Sequence, residues 1–267
     1  MNSQPPRKRF GQHFLHDQNI LNKIIRAILP QPGQHFVEIG PGRGAMTSLL
    51  IKSIEALHAI EIDRDLAAAL PDLITSPKLT VHEADALNFN FARLKPGDAP
   101  LRLAGNLPYN ISTPLLFHIL SYNELFSDIH IMLQKEVAQR IAASPGSRTY
   151  GRLSVAIAAR CEIETLFHIK PGSFTPPPRV ESSFICLRPD TARRTRIVQH
   201  DAFDQVVKQA FGQRRKQLSN ALGELLTAAQ IKSVNVDPGT RAEQLTVEEF
   251  IALGNLYAEH IRAHRTG

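Results

Sequence analysis

The sequence is poor in cysteine, and this shortage excludes two ways of stabilising a fold. Cys161 and Cys186 are the two cysteines among 267 residues, with no CxxC pair and no histidine at metal-ligand spacing. A chain of this length buries roughly three quarters of its unfolded surface and needs neither disulfides nor a metal for stability. We therefore expect two buried thiols in a reducing compartment, and no metal site.

Long apolar runs are also missing from the sequence. No segment approaches the roughly 18 apolar residues of a membrane span, and no apolar segment of a signal peptide follows the basic start MNSQPPRKRFGQ. Internal repeats and low-complexity tracts are absent as well. These absences predict a cytoplasmic protein that has no membrane partner.

Positive charge is in modest excess and is unevenly distributed. The sequence has 31 Lys and Arg residues against 25 Asp and Glu residues, which gives a formal net charge of +6. The basic residues form three clusters, at Arg7–Arg9, Ala192–Arg196 and Gly212–Lys216. Such clusters favour a polyanionic partner, although a solvated charged face explains any single cluster equally well.

Short apolar runs alternate with helical patterns over the first half of the chain. Five runs are predicted strands: His35–Ile39, Leu57–Ile62, Lys78–His82, Leu101–Gly105 and Ile129–Leu133. Helical patterns lie between them, for example at Ala45–Lys52 and Pro114–Leu120, and the amphipathic segment Asn19–Leu29 precedes them. This alternation predicts an α/β fold with a parallel sheet that is covered on both faces.

The second half of the chain changes from strands to helices. The runs Ser154–Phe167 and Val180–Arg188 flank the turn-rich PGSFTPPPR, and we predict that they form an antiparallel pair completing the sheet. Three helical segments follow, at Asp201–Phe211, Arg214–Leu226 and Val247–Ile261. We therefore predict a first domain at residues 1–190, a linker at Pro189–Gln199 and a small all-helical domain at residues 200–267.

A glycine-rich turn follows the first predicted strand, in the segment VEIGPGRGAMT. Gly40, Gly42 and Gly44 let the backbone approach a ligand closely, and the helix that follows offers free N–H groups. The spacing is GxGxG rather than the GxGxxG of dinucleotide folds, and the acidic Glu38 stands before it. This combination favours a nucleoside ligand without a pyrophosphate.

Carboxylates follow the next two predicted strands. Glu61 stands about twenty residues after the glycines, where a carboxylate can accept both hydroxyls of a ribose. Asp85 stands just past the third strand, where it can accept from an adenine amino group or else cap a helix. Because ligands bind at the carboxyl ends of parallel strands, we expect Gly40, Glu61 and Asp85 to share one site.

The segment GNLPYNIST follows the fourth predicted strand. Pro108 fixes its own φ and favours an extended Leu107, so that backbone carbonyls point outward. An aromatic amine is a poor nucleophile because its lone pair is delocalised into the ring. The Asn106 side chain and a carbonyl of Leu107–Pro108 can accept its N–H groups and favour a pyramidal nitrogen, while Tyr109 stacks on the base. A tight turn around a buried tyrosine is the structural alternative.

The chain resembles the ribosomal RNA adenine dimethyltransferases along nearly its whole length. The matching segments, in chain order, are FGQHFL, EIGPGRG, EIDRDL, EADAL, GNLPYNIST, LQKEV, YGRLS, FTPPPRVESS and FGQRRKQLSNAL. The resemblance implies a Rossmann-like class I methyltransferase sheet with a small C-terminal all-helical domain. It also implies that S-adenosylmethionine donates two methyl groups to N6 of each of two adjacent adenosines. These adenosines would lie in a hairpin near the 3′ end of 16S rRNA, modified late in small-subunit assembly.

Carried over by motif, the resemblance implies cofactor contacts from His13, Leu15, Gly40, Glu61, Asp85 and Asn106. His13 stands where we expect Asn, but a histidine can supply the same hydrogen bond in one tautomer. The predicted catalytic residues are Asn106, Leu107, Pro108, Tyr109 and Phe174. Phe174 would stack on the second face of a flipped-out adenine, or else pack within its loop. The predicted RNA contacts are Arg214, Arg215 and Lys216, in a monomeric enzyme that has no dedicated base.

Three other functions remain open from the sequence. An NAD-linked oxidoreductase would use the same sheet, but it would not need NLPY and usually has a longer glycine spacing. A non-enzymatic assembly factor would hold the ribosomal subunit, with methylation incidental. A related methyltransferase would modify adenine in large-subunit RNA or in DNA, although the helical tail with its GQRRK segment favours structured RNA.

Overall fold

The computed structural model describes residues 12–94, 97 and 99–265. The predicted basic cluster Arg7–Arg9 and the first two residues of FGQHFL lie outside the described residues. No helix in the described part of the chain is long and apolar enough to cross a membrane.

The chain divides into two compact units. The first comprises the chain up to Ala138 together with Ile163–Pro189, and the second comprises Gln139–Glu162 together with the chain from Asp190 onward. The sequence assigned residues 139–162 to the first domain, and this assignment is corrected. The segment belongs to the second unit because its apolar side chains, including Tyr150 and Val155, lie in that unit's hydrophobic core.

The strands of the described residues are β1 (Phe14–Leu15), β2 (His35–Ile39), β3 (Ala56–Glu61), β4 (Leu79–Glu83), β5 (Leu101–Asn106), β6 (Phe126–Gln134), β7 (Cys161–Ile169), β8 (Phe174–Thr175) and β9 (Ser182–Pro189). β1 and β8 form a short antiparallel pair. The other strands form one sheet in the order β4-β3-β2-β5-β6-β9-β7. Its first five strands are parallel, and β9 runs antiparallel to β6.

The parallel part of the sheet confirms the predicted α/β architecture. Each predicted strand is present, with boundaries that differ by at most three residues. β2 and β5 are buried along nearly their whole length, as expected for strands covered on both faces. Strand order reverses at β2, because β3 and β4 lie on one side of it and β5 and β6 on the other. The carboxyl end of β2 is therefore the point where such sheets bind ligands.

The helices of the described residues are α1 (Gln18–Ile28), α2 (Thr47–Leu50), α3 (Arg64–Leu73), α4 (Ser112–Leu120), α5 (Lys135–Ile141), α6 (Arg152–Ala158), α7 (Thr191–Arg194), α8 (His200–Gly212), α9 (Leu218–Ala221), α10 (Ala228–Ser233) and α11 (Val247–Arg265). α1 shows why these segments fold locally. The Asp17 carboxylate accepts the N–H groups of Asn19 and Ile20 at its start, and its apolar stripe, including Ile24, is buried.

One predicted strand is wrong in part. The run Ser154–Phe167 forms the end of α6 and then β7, rather than a single strand. Its first four residues, Ser154 to Ile157, are all buried, and such a run shows no period that separates a helix from a strand. At the start of α6, the Gly151 N–H donates to the Ser154 hydroxyl at 3.1 Å. β7 lies beside β9 at the end of the sheet, where the sequence placed this pair.

Two predictions in the second unit are also corrected. The predicted helix Arg214–Leu226 consists mostly of turns around the short α9, because Gln217 pairs with Arg241 in an isolated bridge. The predicted linker Pro189–Gln199 contains α7. The long helices α8 and α11 build the core of this unit. A Cβ at Gly254 would lie 2.9 Å from the Phe203 Cα, so a glycine in α11 permits their close contact.

Both cysteines are buried and neither forms a disulfide bond among the described residues, which confirms the prediction of small core thiols. Burial raises the pKa of the Cys186 thiol to about 11. The thiol is therefore protonated at neutral pH and a poor nucleophile.

Candidate active site

A cleft with an empty volume of about 800 Å³ lies at the carboxyl end of β2, in the first unit. The predicted site residues that line it are His13, Leu15, Gly40, Glu61, Asn106, Leu107, Pro108 and Tyr109. They come from four separate parts of the chain, namely β1 and its approach, the glycine turn, the end of β3 and the segment after β5. The fold therefore brings together most of the residues that the sequence singled out.

The glycine turn forms one wall of the cleft. Gly40 and Gly42 have φ values of +67° and +57°, a region that side chains rarely tolerate. A Cβ at Gly42 would lie 3.0 Å from the Phe14 ring, and one at Gly40 would lie 3.4 Å from the Asn106 carbonyl oxygen. Because these glycines have no side chains, the turn can approach both β1 and the end of β5.

Glu61 ends β3 with its carboxylate held by two backbone groups. Oε2 accepts the Gly42 N–H at 3.1 Å and Oε1 accepts the Asp63 N–H at 2.9 Å. The side chain is 5% exposed, and burial raises its pKa although these hydrogen bonds lower it. The carboxylate is therefore fixed in the cleft wall, and binding of ribose hydroxyls stays a prediction for it.

Glu38 is a site residue that the sequence did not single out for a role. It stands in β2 directly before the glycine turn, lines the cleft and is 1% exposed. Its Oε2 has no hydrogen-bond partner among the residues that the structure describes. Burial raises the pKa of this carboxyl to about 7, and the charge of Glu61 adds to the shift. An acidic residue just before a glycine-rich turn is the signal that would have identified it.

The segment after β5 presents two acceptors at the cleft. The Asn106 Nδ2 donates to the His13 carbonyl oxygen at 2.9 Å, which leaves Oδ1 as the acceptor end of the amide. The Pro108 carbonyl already accepts the Ile111 N–H at 3.2 Å. The Leu107 carbonyl accepts no hydrogen bond from within residues 12–94, 97 and 99–265. The Leu107 carbonyl is therefore a better acceptor for a ligand amine than the Pro108 carbonyl.

Tyr109 is fixed at both ends of its side chain. Its hydroxyl lies 2.5 Å from the Ser182 Oγ at the start of β9. Its ring stacks against the His13 ring, with centroids 5.3 Å apart and planes 28° apart. Burial raises the pKa of the phenol, so the hydroxyl is protonated at neutral pH and provides no base.

Two predicted site residues do not line the cleft. Asp85 uses both carboxylate oxygens in its own turn, at 2.9 Å from the Leu87 N and 3.0 Å from the Asn88 Nδ2. Asp85 therefore closes a turn rather than capping a helix, and contact with an adenine amino group stays a prediction. Phe174 is 2% exposed and lies in the hydrophobic core of the first unit with Phe184. This burial matches the structural alternative of packing, and the stacking role stays a prediction for Phe174.

The predicted RNA contacts lie between α8 and α9 in the second unit. The Arg214 Nε pairs with the Glu243 carboxylate at 2.7 Å. The Arg214 Nη2 donates to the Arg148 carbonyl oxygen at 2.7 Å. Arg215 and Lys216 are exposed. Arg214 therefore has intramolecular partners, whereas the structure presents its two neighbours to solvent.

The cleft suits a cationic nucleoside better than a nucleotide. Glu61 and, above about pH 7, Glu38 place negative charge in its wall, and this charge would repel the pyrophosphate of a dinucleotide. A sulfonium or ammonium group would instead offset their charge. The glycine turn provides the close approach that a nucleoside needs. The residues present thus fit S-adenosylmethionine, and its contacts with Glu61, Gly40 and Leu15, which line the cleft, stay predictions.

The order of the sheet and the cleft at the end of β2 define a class of protein, the class I methyltransferases. The chain belongs to the ribosomal RNA adenine dimethylase family, whose profile matches residues 4–259. It is accordingly an S-adenosylmethionine-dependent adenine dimethyltransferase.

Relatives and solved structures agree with this membership. A relative from Alcanivorax borkumensis, named ribosomal RNA small subunit methyltransferase A, is 48% identical over 96% of this chain and 91% of its own. A protein of the same name from Aromatoleum aromaticum is 49% identical over 97% of this chain and 96% of its own. A dimethyladenosine transferase from Plasmodium falciparum superposes with a TM-score of 0.76, at 25% identity, over 90% of this chain and 96% of its own. The 23S rRNA methyltransferase ErmE shares the fold, with a TM-score of 0.68.

Proposed function

We propose that this chain dimethylates N6 of two adjacent adenosines in a hairpin near the 3′ end of 16S rRNA, during assembly of the small ribosomal subunit. The family description supports rRNA adenine as the substrate. The names of the Alcanivorax and Aromatoleum relatives support the small subunit. The observation that carries the chemistry is the Asn106 amide, which the His13 carbonyl orients so that Oδ1 stays available.

The residues of the loop prepare the amine for attack. The Asn106 Oδ1 and the Leu107 carbonyl accept the two N6–H groups and stabilise the positive charge that develops on N6. Bound S-adenosylmethionine supplies an electrophilic methyl group on its sulfonium. Asn106 and Leu107 would orient the amine toward that methyl group, so that proximity and orientation would supply most of the rate. The proton leaves to solvent after transfer, because Asn106 is neutral and Tyr109 is protonated.

The substrate base must leave its stack to reach this loop. Tyr109 provides one aromatic surface for it, and stacking on such a ring is worth about 1 to 3 kcal/mol. We assign Arg215 and Lys216 to contacts with RNA phosphates, and Arg214 to a weaker contact because of its ion pair with Glu243. In this proposal the enzyme acts as a monomer. The proposed substrate is an assembling ribosomal subunit, and this supports a cytoplasmic location for the protein.

Substitution of Asn106 tests the proposal. We expect Asn106→Ala to reduce methyl transfer to purified small subunits by roughly 100-fold or more, because one of two amine acceptors is lost. The measurement is mass spectrometry of the rRNA after incubation with labelled S-adenosylmethionine. Two dimethyladenosines near the 3′ end are expected from the unmodified protein.

Asn110→Ala is the matched control, because Asn110 is an exposed amide in the same loop. It should retain the activity of the unmodified protein. Equal loss in both variants, or methyl groups on large-subunit RNA, would contradict the proposal. An inactive Asn106→Ala protein that still supports normal subunit assembly in cells would favour a non-enzymatic assembly factor.

A further inference from the structure

His13 connects three parts of the candidate active site. Its carbonyl oxygen accepts the Asn106 Nδ2 at 2.9 Å, which orients the catalytic amide. Its ring stacks on the Tyr109 ring at a centroid distance of 5.3 Å. Its Nδ1 lies 2.7 Å from the Pro176 carbonyl oxygen, so the Nδ1–H donates a hydrogen bond there. The side chain thus contacts Tyr109, the predicted stacking residue, although the sequence grouped His13 with the cofactor contacts.

The surrounding chain holds His13 in register with these partners. Phe14 and Leu15 in β1 pair with Thr175 and Phe174 in β8. The His16 N–H donates to the Ser173 carbonyl at 3.0 Å. The residues around β1 are therefore held against the segment that contains TPPP. From this position the His13 ring stacks on Tyr109.

The contact restricts where a base can stack. One face of the Tyr109 ring is covered by His13, and its hydroxyl is tied to Ser182. A planar base can therefore stack on the opposite face alone. The Tyr109 ring cannot rotate away without losing both contacts, so its plane is set before the base arrives.

We propose that His13 is a positioning residue for the target adenine, acting through Tyr109. Its planar side chain, tied to the Pro176 carbonyl, sets the plane of the Tyr109 ring and leaves one face for the base. This inference rests on the proposed function and adds the residue that aligns the base. The side chain acts on the substrate rather than on the cofactor.

The test compares His13→Ala with His13→Asn. Alanine removes the planar group and the donor, whereas asparagine keeps a flat amide that can donate to the Pro176 carbonyl. We expect His13→Ala to lower kcat for methyl transfer about tenfold and His13→Asn to remain within about threefold of the unmodified protein. Calorimetric affinity for S-adenosylmethionine should change less than about twofold in both. His16→Ala is the control, because it removes an exposed histidine from the same segment.

A double substitution separates positioning from a general structural effect. In the Tyr109→Ala background, His13→Ala should cause no further loss, because its effect runs through the tyrosine ring. Aromatic NMR gives a readout that needs no substrate: the Tyr109 ring resonances should shift in His13→Ala and not in His16→Ala. The chain has 4 tyrosines, so these resonances can be assigned by substitution.

Three results would overturn the inference. They are a loss of cofactor affinity that matches the loss of activity, an asparagine variant no better than alanine, and additive losses in the double variant. An unmodified protein that transfers no methyl group to small subunits would contradict the proposed function instead. The NMR comparison then still decides whether His13 sets the tyrosine ring.

Discussion

Glu38 is the cleft residue whose ionisation matters most for stability. Its carboxyl is fully buried, Oε2 lacks a partner among the described residues, and burial raises its pKa to about 7 from an ordinary value of 4.5. The unfolded chain loses this proton above about pH 4.5, whereas the folded chain keeps it until about pH 7. Stability from this group is therefore present at low pH and is lost as the pH rises from 4.5 to 7.

Glu38→Gln removes this ionisation while keeping the shape of the side chain. We expect the variant to be more stable than the unmodified protein at pH 8, by up to about 3 kcal/mol, because 2 to 3 pKa units correspond to that energy. The advantage should disappear near pH 4. Urea unfolding of the cofactor-free protein at both pH values measures it.

The exposed Glu83 provides the control for Glu38. Glu83→Gln should change the free energy of unfolding by less than about 0.5 kcal/mol at either pH, as surface substitutions usually do. A Glu38→Gln advantage of the same size at pH 4 and pH 8 would show that packing, rather than ionisation, causes it.

At the scale of elements, the glycine turn and β1 form one structure. The Gly42 N–H donates to Glu61, and its missing Cβ leaves room for the Phe14 ring. The Arg43 guanidinium lies over the Phe14 ring, 4.5 Å from its centroid. A change in the turn is therefore transmitted to β1 and to the cleft.

Gly42→Ala tests this dependence, with Gly33→Ala as its matched control. Both glycines have positive φ, at +57° and +79°, so both variants should lose about 1 to 2 kcal/mol of stability from backbone strain. Gly33 has no atom within 4 Å of the added Cβ, whereas Gly42 would meet the Phe14 ring at 3.0 Å. We expect weaker binding of S-adenosylmethionine in Gly42→Ala alone, about tenfold or more, by calorimetry.

Equal cofactor affinity in these two glycine variants would mean that β1 does not respond to the turn. A larger loss of stability in Gly33→Ala than in Gly42→Ala would show that the contact with Phe14 costs little. Thermal unfolding of both variants distinguishes these results.

At the scale of the whole molecule, catalysis and RNA binding are assigned to different units. The cleft lies in the first unit, and Arg215 and Lys216 lie in the second. Binding to phosphates releases counterions, so each contact adds to the salt dependence of RNA affinity.

Arg215→Ala and Lys216→Ala should each reduce the slope of log affinity against log salt by roughly 0.7 to 0.9. Arg214→Ala should change the slope less, because its guanidinium already pairs with Glu243. Filter binding of the small-subunit rRNA hairpin between 50 and 200 mM salt, roughly the range over which such contacts are measured, provides the comparison. An unchanged slope in all three variants would mean that this cluster is a solvated charged face that contacts no phosphates.

The sequence alone determined the class of fold and predicted eight of the residues that line the cleft. Alternating apolar runs predict the parallel sheet, because burial on both faces requires continuous apolar strands. Gly40, Glu61 and Asn106 were found because such sheets bind ligands at the carboxyl ends of their strands. Local rules of this kind do not depend on distant parts of the chain.

Tertiary structure decided what depends on contacts between distant residues. The core environment of Phe174 and the helix at α6 follow from burial, which the periodicity of an apolar run does not specify. The ion pair of Arg214 and the contact of His13 with Tyr109 join residues 29 and 96 positions apart in sequence. Side-chain partners at such separations are set by packing of the folded chain, so no local pattern encodes them.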